Sequence, residues 1–532
     1  MSILNVTKHI FIFSASLSGL GKGVVSASIG RILKSYGHNV TIQKFDPYLN
    51  VFVNDIDPDA HGECIRLKDG WVGDMDLFNY SNFLDDPYLL TKNNSITSGI
   101  IYNNIFQNER NGKYAGQTIQ IIPHVTDEIK RYIHLFDEQY DVVIHEIGGN
   151  INDIEAAPHI EAIRQLQSEL NHEDCLIILL VYLPFLKTTQ EVKTKIAQQG
   201  VEACRASGII PDILIARSEE DFDDEIKEKL SLFTNIKSKY IIKNLDAQSI
   251  YNIPKMLADE GIITALKDKL KLSFDNDDDF NYWNTSVLDH YSSDTINIGI
   301  LTKSFKLKDS YISIAEALRF AGWKNKVNIN TILLESKQLE VTPISSLRLS
   351  GVLIPDITNK DDFYGKMTFI KVCREQNIPT LGIGSGAEVM ICEFANNVLK
   401  LKNALPENIV KQRLLTDKHI IFNTVINDDI GDYSSKLINS TLADWYENKT
   451  VTLRHRYINQ FNKKYQLLFE TSNMYITATS NNNVDIMELK NHPFFVSIFG
   501  HPELLTAPLQ SNGIFDAFVF YAKHIQNSKR IS

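Results

Sequence analysis

At 532 residues the chain is too long for one ordinary hydrophobic core to organise, so two domains of α/β size are expected. With 43% apolar and 22% charged residues it has the make-up of a soluble globular protein, and a net charge of −11 excludes a general nucleic-acid binder, whose phosphate contacts need a basic face. Nucleotides are not excluded, because a few lysines focused in one cleft bind a triphosphate on an acidic protein.

In chain order, the first apolar run falls at 10–13, with no charged leader followed by a long apolar stretch, so neither a signal peptide nor a membrane anchor is expected. Further strand-like runs at 40–43, 142–145, 176–183 and 209–216 alternate with amphipathic helical stretches. That rhythm predicts a parallel sheet covered by helices on both faces. The longest apolar run, 176–185, is too short to span a bilayer and is expected to be a buried strand. Residues 273–294, with FDNDDDF and few aliphatics, break the alternation and are expected to link the domains. Strands at 296–301, 329–334, 351–355 and 379–383, with a helix over 311–320, then begin a second α/β domain. The expected division is 1–272, a linker over 273–294, and 295–532. Five cysteines, Cys64, Cys175, Cys204, Cys373 and Cys392, have no paired or metal-like spacing, which suits buried thiols in a reducing, cytoplasmic setting.

The run at 10–13 leads into SASLSGLGKGVVSASIG, and a helix is expected from about Val24. Successive amides in such a glycine turn converge on phosphate oxygens, the helix N-terminus favours negative charge, and Lys22 can neutralise outer phosphates. As a generic P-loop the match is imperfect, since Ser16 stands at the first glycine and Gly23 replaces the hydroxyl residue after the lysine. The alternative is a glycine turn that merely lets strand and helix pack closely.

Several motifs in order narrow this choice: SGLGKGVVSASIGRILKSYGHNVTIQKFDPYLNV, HGE at 61–63, DGWVGDMDL at 69–77, TIQIIPHVTDEI at 118–129, HEIGGNINDIE at 145–155 and EVKTK at 191–195. Together they closely resemble the CTP synthase family, and the resemblance is collinear over nearly the whole chain. It implies a P-loop-type parallel-sheet amidoligase domain followed by a class I glutamine amidotransferase-like α/β domain. It also implies amination of UTP by way of a 4-phosphoryl intermediate formed with ATP, ammonia normally arriving from glutamine hydrolysed in the second domain. By the same resemblance Ser18 touches the pyrimidine nucleotide, and Gly19, Leu20, Gly21, Lys22, Gly23 and Val24 cradle ATP, with Arg110 and Arg217 as further basic residues. Lys22 and Lys44 stabilise the transferring phosphoryl group. Asp74 and Glu146 match the family's magnesium ligands, hard carboxylates that leave room for phosphate and water. Asp153, Ile154 and Glu155, with Lys193, Lys195 and Gln198, align with a pyrimidine-nucleotide site shared between subunits, which implies a homotetramer.

Departures lie close to these motifs. The family's double glycine before the loop is Ser14-Ala15 here, a loop serine is Gly19, the glutamine before His61 is Ala60, and a glutamate before the metal aspartate is Val72. A nucleotide-contacting lysine aligns with Leu245, with Lys243 near enough to replace it after a small shift. The second domain keeps RHRY at 454–457 and FGHPE, with His501 and Glu503 at the base and orienter positions of a glutaminase triad. Where the family has LGICLGMQ this chain has LGIGSGAE, so Gly384 stands at the nucleophilic cysteine and Glu388 at the glutamine. The oxyanion glycines expected after the strand at 351–353 are replaced too, Pro355 being followed by Asp356 and Ile357. Ser385 lies one residue past the elbow and Cys392 about two helical turns further on, so neither is expected to replace the cysteine. The segment that binds the activator GTP in the resembled family is also altered around 356–364, which implies weak or absent GTP control. Two expectations follow: an ATP-dependent ligase for UTP or a related pyrimidine nucleotide that takes free ammonia, or an amine from a separate supplier, in place of glutamine; or an inactive paralogue that binds nucleotides and regulates or co-assembles with an active synthase.

Overall fold

The structure is a computed structural model, and it describes residues 6–15, 17, 19–51, 63–288, 292–302, 311–335, 347–356, 362–413, 418–425, 430–446, 449–455, 459–481 and 483–531. Ser16, Ser18, Ala60, His61 and Ile357 lie outside the described residues. The chain divides into two compact units, 1–55 with 72–289 and 56–71 with 290–532.

The first unit is built on a seven-stranded sheet in the order Ile241–Leu245, Ile213–Ser218, Cys175–Tyr182, Lys8–Ser14, Val142–Ile147, Val40–Asp46 and Ser95–Thr97. Every pairing is parallel. Strands covered on both faces need apolar residues at successive positions, and Leu176 to Val181 are all essentially inaccessible. Because the strands run the same way, the loops at their carboxyl ends gather along one edge, where open α/β sheets place ligands. The turn after Ser14, the end of Val142–Ile147 and the end of Ile213–Ser218 all fall on that edge.

The stretch expected as a linker is folded in its middle. Asp278–Leu288 is a helix whose Trp283 is fully buried, with the Arg31 guanidinium 4.8 Å from its ring centroid and Tyr251 beside it. Arg31 also pairs with Asp279, so an acidic run that looked like a solvated connector supplies an ion pair to the first unit.

The second unit carries a nine-stranded sheet. Its first half, Asn328–Glu335, Thr295–Thr302, Gly351–Ile354, Thr380–Ile383 and Phe495–Ile498, is parallel. The rest, Asn483–Leu489, Met474–Ser480, Gly431–Leu437 and Thr450–His455, continues antiparallel. The helix expected over 311–320 runs Ile312–Lys324. Among the described residues, no helix is long and apolar enough to cross a membrane.

Candidate active site

The strand Lys8–Ser14 turns through Gly19 at φ 76° and Gly21 at φ 86° into the helix Lys22–Ser35. Both glycines occupy the left-handed region, where a Cβ is disfavoured. A side chain on Gly21 would also meet the Arg217 guanidinium at 2.8 Å, so this turn is glycine for local steric reasons. Leu20 and Val24 flank it, and Gly23 is packed so closely on Asp76 that a Cβ there would collide with the carboxylate.

Lys22 opens the helix yet is only 8% exposed. Its ammonium donates to the Gly149 carbonyl at 2.5 Å and to Ser14 Oγ at 3.0 Å. Lys44, from Val40–Asp46, is buried among acids: it pairs with Asp76, with Asp74 at 3.0 Å and with Asp46 at 3.7 Å. Glu146, from Val142–Ile147, is buried and accepts the Tyr80 hydroxyl. Burial, with Asp76 adding to it, pushes the Glu146 carboxyl up to about 8, against the pull of Lys44 and Lys22. Burial holds Lys22 below its usual range. For Lys44 burial acts the same way, but the carboxylates of Asp46, Asp76, Asp74 and Glu146 outweigh it and hold the cation firmly charged. Two lysines and several carboxylates thus share one low-dielectric corner, where gathered negative charge is costly unless a cation lies among it. This donor set of hard oxygens fits a magnesium ion.

The geometry adds a residue that sequence reasoning missed. Asp74 spends Oδ1 on Lys44 and on the N–H of Asp76, the first residue of the helix Asp76–Phe83, at 2.9 Å. Asp76 is the carboxylate that faces Gly23, Lys44 and Glu146. The D-x-D spacing of 74 and 76 was the available signal.

Arg217 donates to the Leu20 carbonyl at 3.1 Å and pairs with Asp246 at 3.0 Å. It helps to line a cavity of about 270 Å³ with Gly21, Val24, Asn244, Leu245, Ala247 and Ile253. Lys243 does not stand in for Leu245: its ammonium donates to Asp221 at 2.9 Å and lies over the Phe222 ring, outside the cavity lining. Asp153 accepts from the Asn150 N–H at 2.8 Å and closes the turn after Gly149, while Ile154 is 87% exposed and Glu155 is exposed. Lys193 pairs with Glu191, and Lys195 begins the helix Lys195–Ala206, on which Gln198 is buried and donates to Thr194 Oγ1 at 3.1 Å. Gly200 of that helix packs against Ala15, which sets it beside the glycine turn. Arg110, at the end of Ser98–Arg110, is exposed and touches none of these groups in any described contact.

In the second unit the strand Thr380–Ile383 breaks at Gly384, φ 55° and ψ −126°, into the helix Ser385–Asn397. This sharp turn is where the sequence resemblance places a nucleophile, and glycine occupies it. His501 and Glu503 are buried and hydrogen-bonded, Nδ1 to Oε1 at 2.7 Å. Asp356 reaches into the remaining space: Oδ1 accepts from the Ser385 N–H at 2.7 Å and from Ser385 Oγ at 2.9 Å, and Oδ2 lies 3.3 Å from His501 Nε2. A Cβ on Gly384 would collide with Asp356 Oδ1 and come within 2.9 Å of His501 Cε1. The amide after the elbow, which donates to a tetrahedral oxyanion in such hydrolytic sites, is therefore taken by a carboxylate of this chain. Ser385 Oγ is engaged by the same carboxylate. Cys392 is buried, and burial followed by nearby Glu388 pushes its thiol well above the ordinary range, which disfavours the thiolate.

Residues 8–272 match the family model described as CTP synthase N-terminus, and 306–520 match that described as glutamine amidotransferase class-I. The CTP synthase of Aquifex aeolicus is 37% identical over 97% of this chain and 98% of its own length; that of Pyrococcus furiosus is 35% identical over 99% and 100%. Among solved structures, the glutaminase domain of Trypanosoma brucei CTPS with bound acivicin is 21% identical, with a TM-score of 0.39, over 43% of this chain and 94% of that one. With both halves matched in order and near full-length relatives above 30% identity, the chain belongs to the CTP synthase family.

Proposed function

We propose that this protein uses ATP to aminate UTP, or a closely related pyrimidine nucleoside triphosphate, taking free ammonia or another amine in place of glutamine. The observation that carries this reading is the contrast between the two sites. Lys22, Lys44, Asp76 and Glu146 keep a buried, charge-dense corner beside a glycine turn, whereas Gly384 offers no nucleophile and Asp356 covers the amide it would need. In the first site the turn from Gly19 to Val24 binds the ATP phosphates through its amides, and Lys22 and Lys44 stabilise charge on the phosphoryl group as it moves. Asp76 and Glu146 would hold magnesium, with Asp74 positioning Asp76; the ion supplies charge neutralisation at the phosphates. The cavity beside Arg217 suits the base and ribose of ATP. Ile154 and Glu155 face outward with Lys193 and Lys195, which agrees with a pyrimidine site completed by a second subunit of a homotetramer.

The test is to incubate the full chain with UTP, ATP and magnesium, supplying either ammonium at mildly alkaline pH or glutamine, and to follow CTP and ADP. CTP and ADP in equal amounts with ammonium, and no glutamate released from glutamine, is the expected result. Glutamate formation would overturn the ammonia reading. No ADP with any pyrimidine nucleotide would favour the second reading, a nucleotide-binding paralogue without turnover, for which the clasp of Ser14 and Gly149 on Lys22 is the supporting observation.

A further inference from the structure

The amino-terminal end of the first sheet carries a side-chain cluster that the nucleotide chemistry does not use. His9 is the second residue of Lys8–Ser14, at the end of the strand opposite the phosphate-binding turn, and is 2% exposed. Its Nδ1 lies 3.0 Å from Nε2 of His145, a fully buried residue of Val142–Ile147. Its Nε2 lies 3.4 Å from Asp137 Oδ1. His134, in the short helical turn His134–Phe136, sets its ring edge-on to His9, centroids 5.3 Å apart at 83°, and its Nδ1 is 2.8 Å from Asp137 Oδ2. One ligand atom from each of His9, His134 and Asp137 falls within 4.8 Å of the other two.

Two features separate this cluster from an ordinary hydrogen-bonded group. Asp137 Oδ1 is buried and, among the described residues, has no hydrogen-bond partner: it and His9 Nε2 lie 3.4 Å apart without forming a hydrogen bond. Two ligands each about 2.0–2.2 Å from a tetrahedral ion lie about 3.3–3.6 Å apart, which is the separation of these two atoms. The second feature is the partner behind the ligand. A metal-bound imidazole usually gives its other N–H to an acceptor that fixes tautomer and orientation, and His145 Nε2 stands where His9 Nδ1–H would donate. His134 and Asp137 are half-buried, which leaves a path from solvent.

We propose that His9, His134 and Asp137 form a three-ligand site for a transition metal of the zinc class, the fourth position being open to water. Imidazole and carboxylate together suit zinc and its neighbours, not magnesium, which prefers oxygen throughout. The bound ion ties the start of the central strand Lys8–Ser14 to the turn at 134–137, so its effect is on the stability of the sheet at its amino-terminal end.

The test uses the full chain, stripped with a chelator, gel-filtered after exposure to Zn2+ in excess Mg2+, and assayed for retained zinc by elemental mass spectrometry. Co2+ serves as a spectroscopic stand-in. The expected result is one zinc per chain, a visible Co2+ spectrum of low coordination number, and a melting temperature raised by zinc. Affinity should fall at least tenfold in His134→Ala and in Asp137→Ala, each checked for native circular dichroism. Because both side chains are half-exposed and one variant can fold where the other fails, the pair keeps the test decisive. Zinc retained equally by both variants, which would place it on a cysteine or elsewhere, overturns the proposal, as does a parent chain that retains none.

Discussion

Asp356 and Gly384 make one structural unit. The carboxylate occupies the volume a cysteine side chain would need and accepts the amide hydrogen an oxyanion would need, so each residue depends on the other. Gly384→Cys alone is therefore expected to leave glutamine hydrolysis undetectable and to destabilise the chain, since a side chain at φ 55° and ψ −126° carries strain of order 1–3 kcal/mol before the collision is counted. Adding Asp356→Gly should remove the collision and expose the Ser385 amide and His501. The thiol of the double variant should then react with an electrophilic glutamine analogue at least tenfold faster than that of the single variant. Equal labelling would show that Asp356 does not guard the elbow. The preserved His501–Glu503 bond makes the comparison meaningful, because the base remains oriented.

At the level of single elements, burial decides what a polar residue does. Glu388 lies on the helix Ser385–Asn397, only 6% exposed, and accepts one hydrogen bond from Asn459 at 2.8 Å. Burial raises its carboxyl to about 8, opposed by the Asn459 bond and aided by Asp356. A carboxyl whose folded value exceeds its unfolded one holds an extra proton when folded, so stability falls as pH rises from about 4.5 to about 8. Glu388→Gln should remove that loss, making the variant more stable than the parent at pH 8 by on the order of 3 kcal/mol and nearly equal to it at pH 5. Denaturant melts at the two pH values measure this, and a difference independent of pH would refute it. The helix Asp278–Leu288 shows burial working through packing instead. Trp283→Ala should cost about 3–5 kcal/mol, read as a lowered unfolding midpoint, whereas a true linker would tolerate the change without one.

On the scale of the whole molecule, the proposed use of free ammonia in place of glutamine has a measurable signature. Ammonia, not ammonium, has the lone pair that displaces phosphate, so at fixed total ammonium the rate should climb roughly tenfold per pH unit below the amine's own pKa. A rate flat in pH under saturating nucleotide would point to a delivered amine. Much of this was already written in the sequence: alternating apolar runs predict the parallel strands because strands buried on both faces must be apolar throughout, and the glycine turn, Lys22, Gly384, His501 and Glu503 are local motifs whose spacing survives in one dimension. Other features have no such spacing. The antiparallel half of the second sheet pairs strands with weak alternation, and the helix around Trp283 hides in an acidic run. Asp76 gains its place only when Lys44 and Glu146 fold beside it. Asp356 sits 28 positions before Gly384 in the chain, and only the packing of Gly351–Ile354 beside Thr380–Ile383 brings its carboxylate onto the Ser385 amide. Local sequence determined which residue types stand at the two candidate sites. The tertiary fold decided what fills the gap, because electrostatics and excluded volume act through space and not along the chain.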